Sequence, residues 1–318
     1  MGIVVCTADL FPEHVDRLVN AGHEIRLSKD ADKDSLKPLL TDADAIICLL
    51  THTIGRQLLE AAPHLRIVAN VAVGYENIDV LAAKERGIIV TNTPDVLTES
   101  TADHVFALLL AAARRIPEAD ATIRDGEFPA WGLRQPLTGI DVHGKTLGIV
   151  GMGRIGTAVA RRGHHGFGMP ILYHSRTRKH DLENELGARP MLFEDLLAES
   201  DFVSVHVPST NETHHLFNTE AFAQMKPSAI LVNVARGAVV DEAALVQALR
   251  DRTIAGAGLD VFEQEPRIHP GLLELHEHVV LAPHLGSATV DTRRAMGDMA
   301  IDNVLAVLDG KPPLTPVI

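Results

Sequence analysis

Residues Lys145–Gly156 read KTLGIVGMGRIG, an apolar run that ends on Gly151-x-Gly153-x-x-Gly156 and passes into the helical pattern TAVARRG. Each glycine has its own reason in a strand–turn–helix that holds a dinucleotide. The first makes the tight turn, the second lets backbone approach a pyrophosphate, and the third lets helix and strand pack closely. The helix start then offers N–H groups to the phosphates. Gly151, Met152, Gly153, Arg154, Ile155 and Gly156 are therefore candidate cofactor-binding positions. Alone the motif is weak evidence; between a strand and a helix it is much stronger.

The rhythm around this loop sets the fold class. Strand candidates at 146–150, 171–173, 202–207, 229–234, 254–259 and 279–281 make six, with helical patterns between them. That alternation suits a doubly wound parallel sheet. Upstream, apolar runs at 3–6, 24–27, 45–49, 67–71 and 88–90 alternate with helical patterns at 12–21, 35–41, 55–61 and 78–86. A long helix is expected from Thr98, as N-cap, to Arg124, and a last one from about Ser287 to Leu308. The chain reads as α/β, with two doubly wound parallel-sheet domains.

The glycine loop also locates the cofactor selector. An NAD site usually carries Asp or Glu at the end of the next strand, about 20 residues on, to bind the ribose 2′-hydroxyl. Counting forward reaches Ile171–His180, ILYHSRTRKH, where His174 takes the acid's place. Ser175, Arg176 and Thr177 instead suit a 2′-phosphate, with Arg178 or Lys179 raising the local potential. NADP(H) is the expected cofactor, with NAD(H) as the alternative.

Composition narrows the partners. A chain of 318 residues suggests about two domains. Lys and Arg number 29 against 42 Asp and Glu, a net charge of −13, which argues against nucleic acid or an anionic membrane surface. The two cysteines, Cys6 and Cys48, sit in apolar runs and suggest a reducing compartment. The first residues, MGIVVCTADLFPEH, lack the pattern of a signal peptide, and Val105–Ala113 is too short for a membrane span. A cytoplasmic protein is expected. His164-His165 and His214-His215 are adjacent rather than on one helix face and have no Cys or carboxylate cluster at metal spacing, so no metal is expected.

In open α/β sheets, ligands bind beyond the carboxyl ends of the strands. Three polar residues fall there: Arg236 in AILVNVARGAVVD, Glu265 in GLDVFEQEP and His284 in VVLAPHLG. Reduction of a 2-keto acid needs a proton donor for the carbonyl oxygen, which a histidine paired with a carboxylate supplies. It also needs a cation for the substrate carboxylate, which a guanidinium fork provides.

The set GMGRIG, VHVPSTNETHHLFN, LVNVARGAVVDEAAL, GLDVFEQEP and VVLAPHLGSAT closely resembles the D-isomer-specific 2-hydroxyacid dehydrogenase family. The resemblance covers essentially the whole chain and, in LYHSRTRK and the segment 269–296, is nearest to glyoxylate/hydroxypyruvate reductases. It implies His284 as acid/base, Glu265 as its partner and Arg236 as the substrate-binding arginine. It further implies that backbone amides at Val73 and Gly74 hold the substrate carboxylate, with Leu50 and Thr51 at the substrate-side wall. Thr101, Val207, Pro208, Thr213, Val234, Ala235, Asp260, His284 and Gly286 match positions lining the cofactor, Asp260 near the nicotinamide amide. Trp131, in EFPAWG, matches an arm that reaches a neighbouring subunit's active site, implying a homodimer. By the same resemblance the substrate-binding domain comprises 1–99 completed by 287–318, and 100–286 forms the NAD(P)-binding Rossmann domain inserted between.

The expected activity is NADPH-dependent reduction of glyoxylate and hydroxypyruvate, small 2-keto acids. Alternatives are another D-2-hydroxyacid dehydrogenase (D-lactate, phosphoglycerate or phosphite) or a nucleotide-sensing, corepressor-like binding module on this scaffold.

Overall fold

The computed structural model describes every residue except Ala8, 29–32, His278 and Ile318, and no side chain of 33–35. Ile318, the last residue of the expected substrate domain, therefore lies outside the described residues. The first half of the chain runs β1 (Ile3–Cys6), α1 (Pro12–Asn20), β2 (Glu24–Leu27), α2 (Lys33–Leu40), β3 (Ala45–Cys48), α3 (Arg56–Glu60), β4 (Ile67–Asn70), α4 (Val80–Glu85) and β5 (Ile89–Thr91). Then come α5 (Thr98–Ala113), α6 (Ile116–Arg124), β6 (Leu147–Val150), α7 (Arg154–Phe167), β7 (Ile171–His174), α8 (His180–Leu186), β8 (Arg189–Pro190), α9 (Phe193–Glu199) and β9 (Phe202–Val205). The chain closes with α10 (Thr219–Gln224), β10 (Ile230–Asn233), α11 (Glu242–Arg250), β11 (Gly256–Leu259), α12 (Pro270–Leu273), β12 (Val279–Leu281) and α13 (Val290–Leu308).

Two compact units result: Met1–Leu97 with Thr289–Ile318, and Thr98–Ala288. The first holds a five-stranded sheet in the order β2-β1-β3-β4-β5, all parallel. Its central strands AIIC and IVAN are buried along their whole length and apolar up to the terminal Asn70, the near-continuous run that a sheet covered on both faces demands. In the same unit α1 lies close to α13, where a Cβ on Gly297 would meet the His14 ring at 2.0 Å. Thr289 caps α13, its side chain accepting from the Thr292 N–H.

The second unit has a seven-stranded parallel sheet in the order β12-β11-β10-β9-β6-β7-β8. Strand order reverses between β6 and β9, which are direct neighbours. Such a switch point leaves a crevice beyond the carboxyl ends of the two strands, the place where ligands bind in open α/β sheets. Fully buried Tyr173, Phe202 and Phe217 anchor the two faces of this sheet.

Two sequence expectations need correction. The helix expected from Thr98 to Arg124 is broken, because Arg115 adopts the left-handed conformation (φ 53°) and α6 restarts with Pro117 in its first turn. The second sheet also has a seventh strand, β8, only two residues long and exposed. No helix among the described residues is long and apolar enough to cross a membrane.

Both cysteines are sealed in the first unit, Cys6 at 1% and Cys48 at 0% exposure. Burial disfavours their thiolates and pushes both pKa values up to about 12. An aromatic disulfide reagent at neutral pH should therefore label neither thiol in the native protein and both after denaturation. Prompt labelling of folded protein would contradict this packing.

Candidate active site

The glycine loop sits at the switch point. Gly151 has φ 101°, a conformation reserved in practice for glycine, and a Cβ there would lie 2.7 Å from the His206 backbone. Gly156 would place its Cβ 2.3 Å from the Gly151 carbonyl, so helix and strand touch here. Gly153 differs: a Cβ would meet no atom of the chain within 4 Å. Nothing internal demands glycine at that position, whereas an approaching pyrophosphate does. Gly153 is also the N-cap of α7 and has no side chain to cap it, which leaves first-turn N–H groups of Ile155 and Gly156 for an anion. Met152 is buried beneath this turn. The residues present fit a dinucleotide.

β7 ends on His174, which is half-buried; its Nδ1 bonds the Met191 carbonyl at 3.2 Å and its ring edges Phe193. The two arginines beyond it are not equivalent. Arg178 is locked to Glu183 (Nε–Oε1 2.8 Å, Nη2–Oε2 2.9 Å), and Tyr173 donates its hydroxyl to the same carboxylate at 2.6 Å. Those bonds hold the Glu183 carboxyl down at about 2, Arg178 first and Tyr173 second. Arg178, expected with Lys179 only to raise the local potential, is thus engaged by an acid of its own chain. Ser175 is half-buried, while Arg176 and Thr177 are exposed and Arg176 pairs with no described acid. The Arg176 charge is felt at Glu212, whose carboxyl lies below its usual range mainly through the Thr210 hydroxyl and its own backbone amide.

The loop after β9 carries Val207, Pro208 and Thr213; the Thr213 hydroxyl donates to the Pro208 carbonyl at 2.6 Å and closes it. His206, hydrogen-bonded to Ser204 at 2.8 Å, is kept neutral because burial pushes its pKa down to about 3.

At the ends of β11 and β12 the structure joins two of the candidates. Glu265 Oε2 lies 2.9 Å from His284 Nδ1, and Oε1 accepts the Phe262 N–H at 3.0 Å. Burial works to raise the Glu265 pKa, but the bonds from His284 and Phe262 outweigh it and hold the carboxyl below its usual range. An ionised Glu265 can only accept, so Nδ1 of His284 carries the hydrogen and Nε2 is left for a ligand. His284 itself has φ 57°, unusual for a residue with a Cβ.

Asp260, fully buried, holds that conformation. Its backbone carbonyl accepts the His284 N–H at 2.8 Å, and its carboxylate takes Leu285 N–H (2.6 Å), Gly286 N–H (2.8 Å) and His104 Nε2 (3.1 Å). Thr101 packs against Gly286, whose Cβ would stand 3.3 Å from both Thr101 and Asp260. The sequence singled out Asp260 for the cofactor; its carboxylate oxygens are engaged in bracing the histidine loop.

Arg236 follows β10 in a turn built by Asn233, a residue the sequence reading missed. Asn233 is fully buried; its amide donates to the Arg236 carbonyl at 2.9 Å and accepts the Ala235 N–H at 3.0 Å. Val234 is buried and Ala235 half-buried beside it. Gly237 then passes so close to the next loop that a Cβ would lie 1.9 Å from the Phe262 backbone carbon.

In the first unit, the carbonyls of Val73 and Gly74 are held by Asn92 (2.8 Å) and Asn70 (2.7 Å). In a trans peptide N–H and C=O point opposite ways, so these bonds turn the Gly74 and Tyr75 N–H groups away from the asparagines. Asn77 pins the turn containing Leu50 and Thr51 by donating to the Leu49 and His52 carbonyls at 3.1 and 2.9 Å. Trp131 is 83% exposed. Among the described residues, no group of three or more His, Cys, Asp or Glu side chains is arranged to hold a metal ion, and the rings of His214 and His215 stack 4.0 Å apart.

Residues 106–286 match the model of the D-isomer specific 2-hydroxyacid dehydrogenase NAD binding domain. The chain is 51% identical over 310 residues to a glyoxylate reductase of Thermococcus onnurineus, covering 96% of this chain and 92% of that protein. A protein of Thermus thermophilus superposes with a TM-score of 0.93 at 44% identity, covering 99% of this chain and all of that one (100%). The NADPH-dependent glyoxylate/hydroxypyruvate reductase of Sinorhizobium meliloti, solved with NADP and malonate, gives 0.87 at 39% identity, over 99% of this chain and 96% of that chain. With the switch-point glycine loop and the histidine–carboxylate pair already in place, these matches make the chain a member of the D-isomer-specific 2-hydroxyacid dehydrogenases, a family of NAD(P)-dependent enzymes.

Proposed function

We propose that the enzyme reduces glyoxylate and hydroxypyruvate with NADPH. The observation that carries this reading is the Glu265–His284 pair at 2.9 Å, with Nε2 left for substrate. A nicotinamide cofactor held by the Gly151–Gly156 loop would supply the hydride for the keto carbon. His284 Nε2 gives its proton to the carbonyl oxygen, and the Glu265 carboxylate stabilises the imidazolium before that transfer and fixes the ring throughout. Arg236 binds the substrate carboxylate through its guanidinium fork. Within the first unit, the Gly74 loop, with its carbonyls tied back, has N–H groups free to donate to a carboxylate. Relatives named for glyoxylate reduction support the substrate assignment. Spectrophotometric NADPH oxidation with glyoxylate, hydroxypyruvate and pyruvate tests it; no turnover of the first two by folded protein would overturn it.

The NADPH preference rests on Arg176, since Arg178 is committed to Glu183. Arg176→Ala should weaken NADPH by about 10- to 100-fold, the worth of one or two charge-assisted hydrogen bonds, and leave NADH nearly unchanged. Equal losses for both cofactors would refute that role. A homodimer is part of this reading: Phe128, Trp131 and Leu133, in the segment after α6, are 86, 83 and 93% exposed and give a partner subunit apolar surface to cover.

A further inference from the structure

The loop that carries Glu265 is clamped from outside the site by a second acid–histidine pair. Glu263 Oε1 lies 2.5 Å from Nε2 of His215, on the segment before α10. Glu263 Oε2 accepts the Glu242 N–H at 3.2 Å, and the Glu263 N–H donates to Glu242 Oε1 at 2.8 Å. Glu242 is 5% exposed, and its other oxygen takes the His269 N–H at 3.2 Å. These reciprocal bonds tie residue 263 to the start of α11, while the neighbouring residue Phe262 supplies the N–H that holds Glu265 Oε1.

The clamp gathers three acids in one place: Asp241, Glu242 and Glu263. His215 answers two of them, since its Nδ1 also lies 3.9 Å from Asp241, and His214 stacks on its ring. Without a partner at His215, Glu263 would face two like charges and drift outward. The main chain at Glu263 would carry the adjoining residue Phe262 with it, and Glu265 would lose the Phe262 N–H bond that aims its carboxylate at His284.

We infer that Glu263 and His215 are positioning residues for the reaction: they fix the 261–265 loop so that Glu265 meets His284 Nδ1. They touch neither substrate nor cofactor. This rests on the reading of His284 as proton donor, and the chain of contacts runs from His215 to Glu263, along the main chain to the Phe262 N–H, and on to Glu265 and His284.

The test compares wild type, Glu263→Gln, His215→Gln and Glu265→Gln. Each is assayed for kcat and KM with glyoxylate and NADPH, for NADPH affinity, and by NMR of ¹⁵N-histidine-labelled protein, which reads the His284 Nδ1–H bond whatever keto acid is turned over. Displacing a catalytic group by about 1 Å costs up to a hundredfold, so both clamp variants should lose kcat by on the order of ten- to a hundredfold. NADPH affinity should hold, and the His284 Nδ1 signal should move toward that of Glu265→Gln. Folded variants with wild-type kcat and an unmoved Nδ1 signal would overturn the inference. So would a loss of kcat with the Nδ1 signal unmoved, which would mark a purely structural role. If wild type itself fails to turn over glyoxylate, the substrate reading falls, while the Nδ1 signal still decides whether the clamp positions His284.

Discussion

His284→Asn should lower kcat for keto-acid reduction by about 10²- to 10⁴-fold, the range that a positioned general acid contributes. Asparagine is the informative replacement because position 284 has φ 57°, and after glycine it is the residue that best tolerates the left-handed region. Alanine or glutamine would add backbone strain to the loss of the proton donor and blur the result. The loop should survive, since Asp260 holds it through backbone N–H groups at 284, 285 and 286. NADPH affinity should therefore stay near that of wild type while kcat collapses. A variant retaining more than a tenth of the wild-type kcat would remove His284 from the proposed mechanism. The pair also has a pH signature. Glu265 is held below its free value when folded, so its stabilising contribution is complete above the ordinary carboxylate range and is lost as pH falls through the lower folded value. The stability gap between wild type and Glu265→Gln should accordingly narrow on strong acidification, as followed by thermal melting.

Gly237→Ala should be the most damaging single methyl group in the second unit. Its Cβ would stand 1.9 Å from the Phe262 carbonyl carbon, 2.0 Å from the oxygen and 2.4 Å from Glu263 N, all backbone atoms that no rotamer change can clear. One of the two chain segments must move, and a loss above about 4 kcal/mol is expected, a large part of a typical net stability of about 5–15 kcal/mol. The damage should also reach the site, because Phe262 supplies the N–H that holds Glu265. Urea denaturation checks it: a loss under about 1 kcal/mol would show that the two loops have room that the structure does not give them.

What the sequence discloses follows from the range of the forces involved. Strands buried on both faces, such as AIIC and the first three residues of ILVN, announce themselves as apolar runs. β8 does not, because two exposed residues, one of them proline, leave no pattern. The break at Arg115 had a local clue in Pro117, but the surrounding helix formers argue for one continuous helix. Arg236, Glu265 and His284 stand out as polar residues just past strand ends, so topology alone brings them to one edge. Their supports stay hidden. Asn233 and Asp260 act on backbone N–H groups, and Glu263 meets a histidine 48 positions away. The unequal fates of Arg176 and Arg178 are equally opaque in sequence, since only the fold of α8 brings Glu183 against one guanidinium and not the other.

The three glycines of the opening motif also divide into kinds. Gly151 and Gly156 are forced by neighbouring chain, whereas Gly153 faces open space. A lineage that abandoned the cofactor would feel no pressure on the middle glycine and unrelenting pressure on the outer two. Among relatives, a side chain at the middle position alone would then mark a scaffold that has kept its shape after giving up its chemistry. The motif so carries two separate records, one of architecture and one of occupation, and only the central letter reports the second.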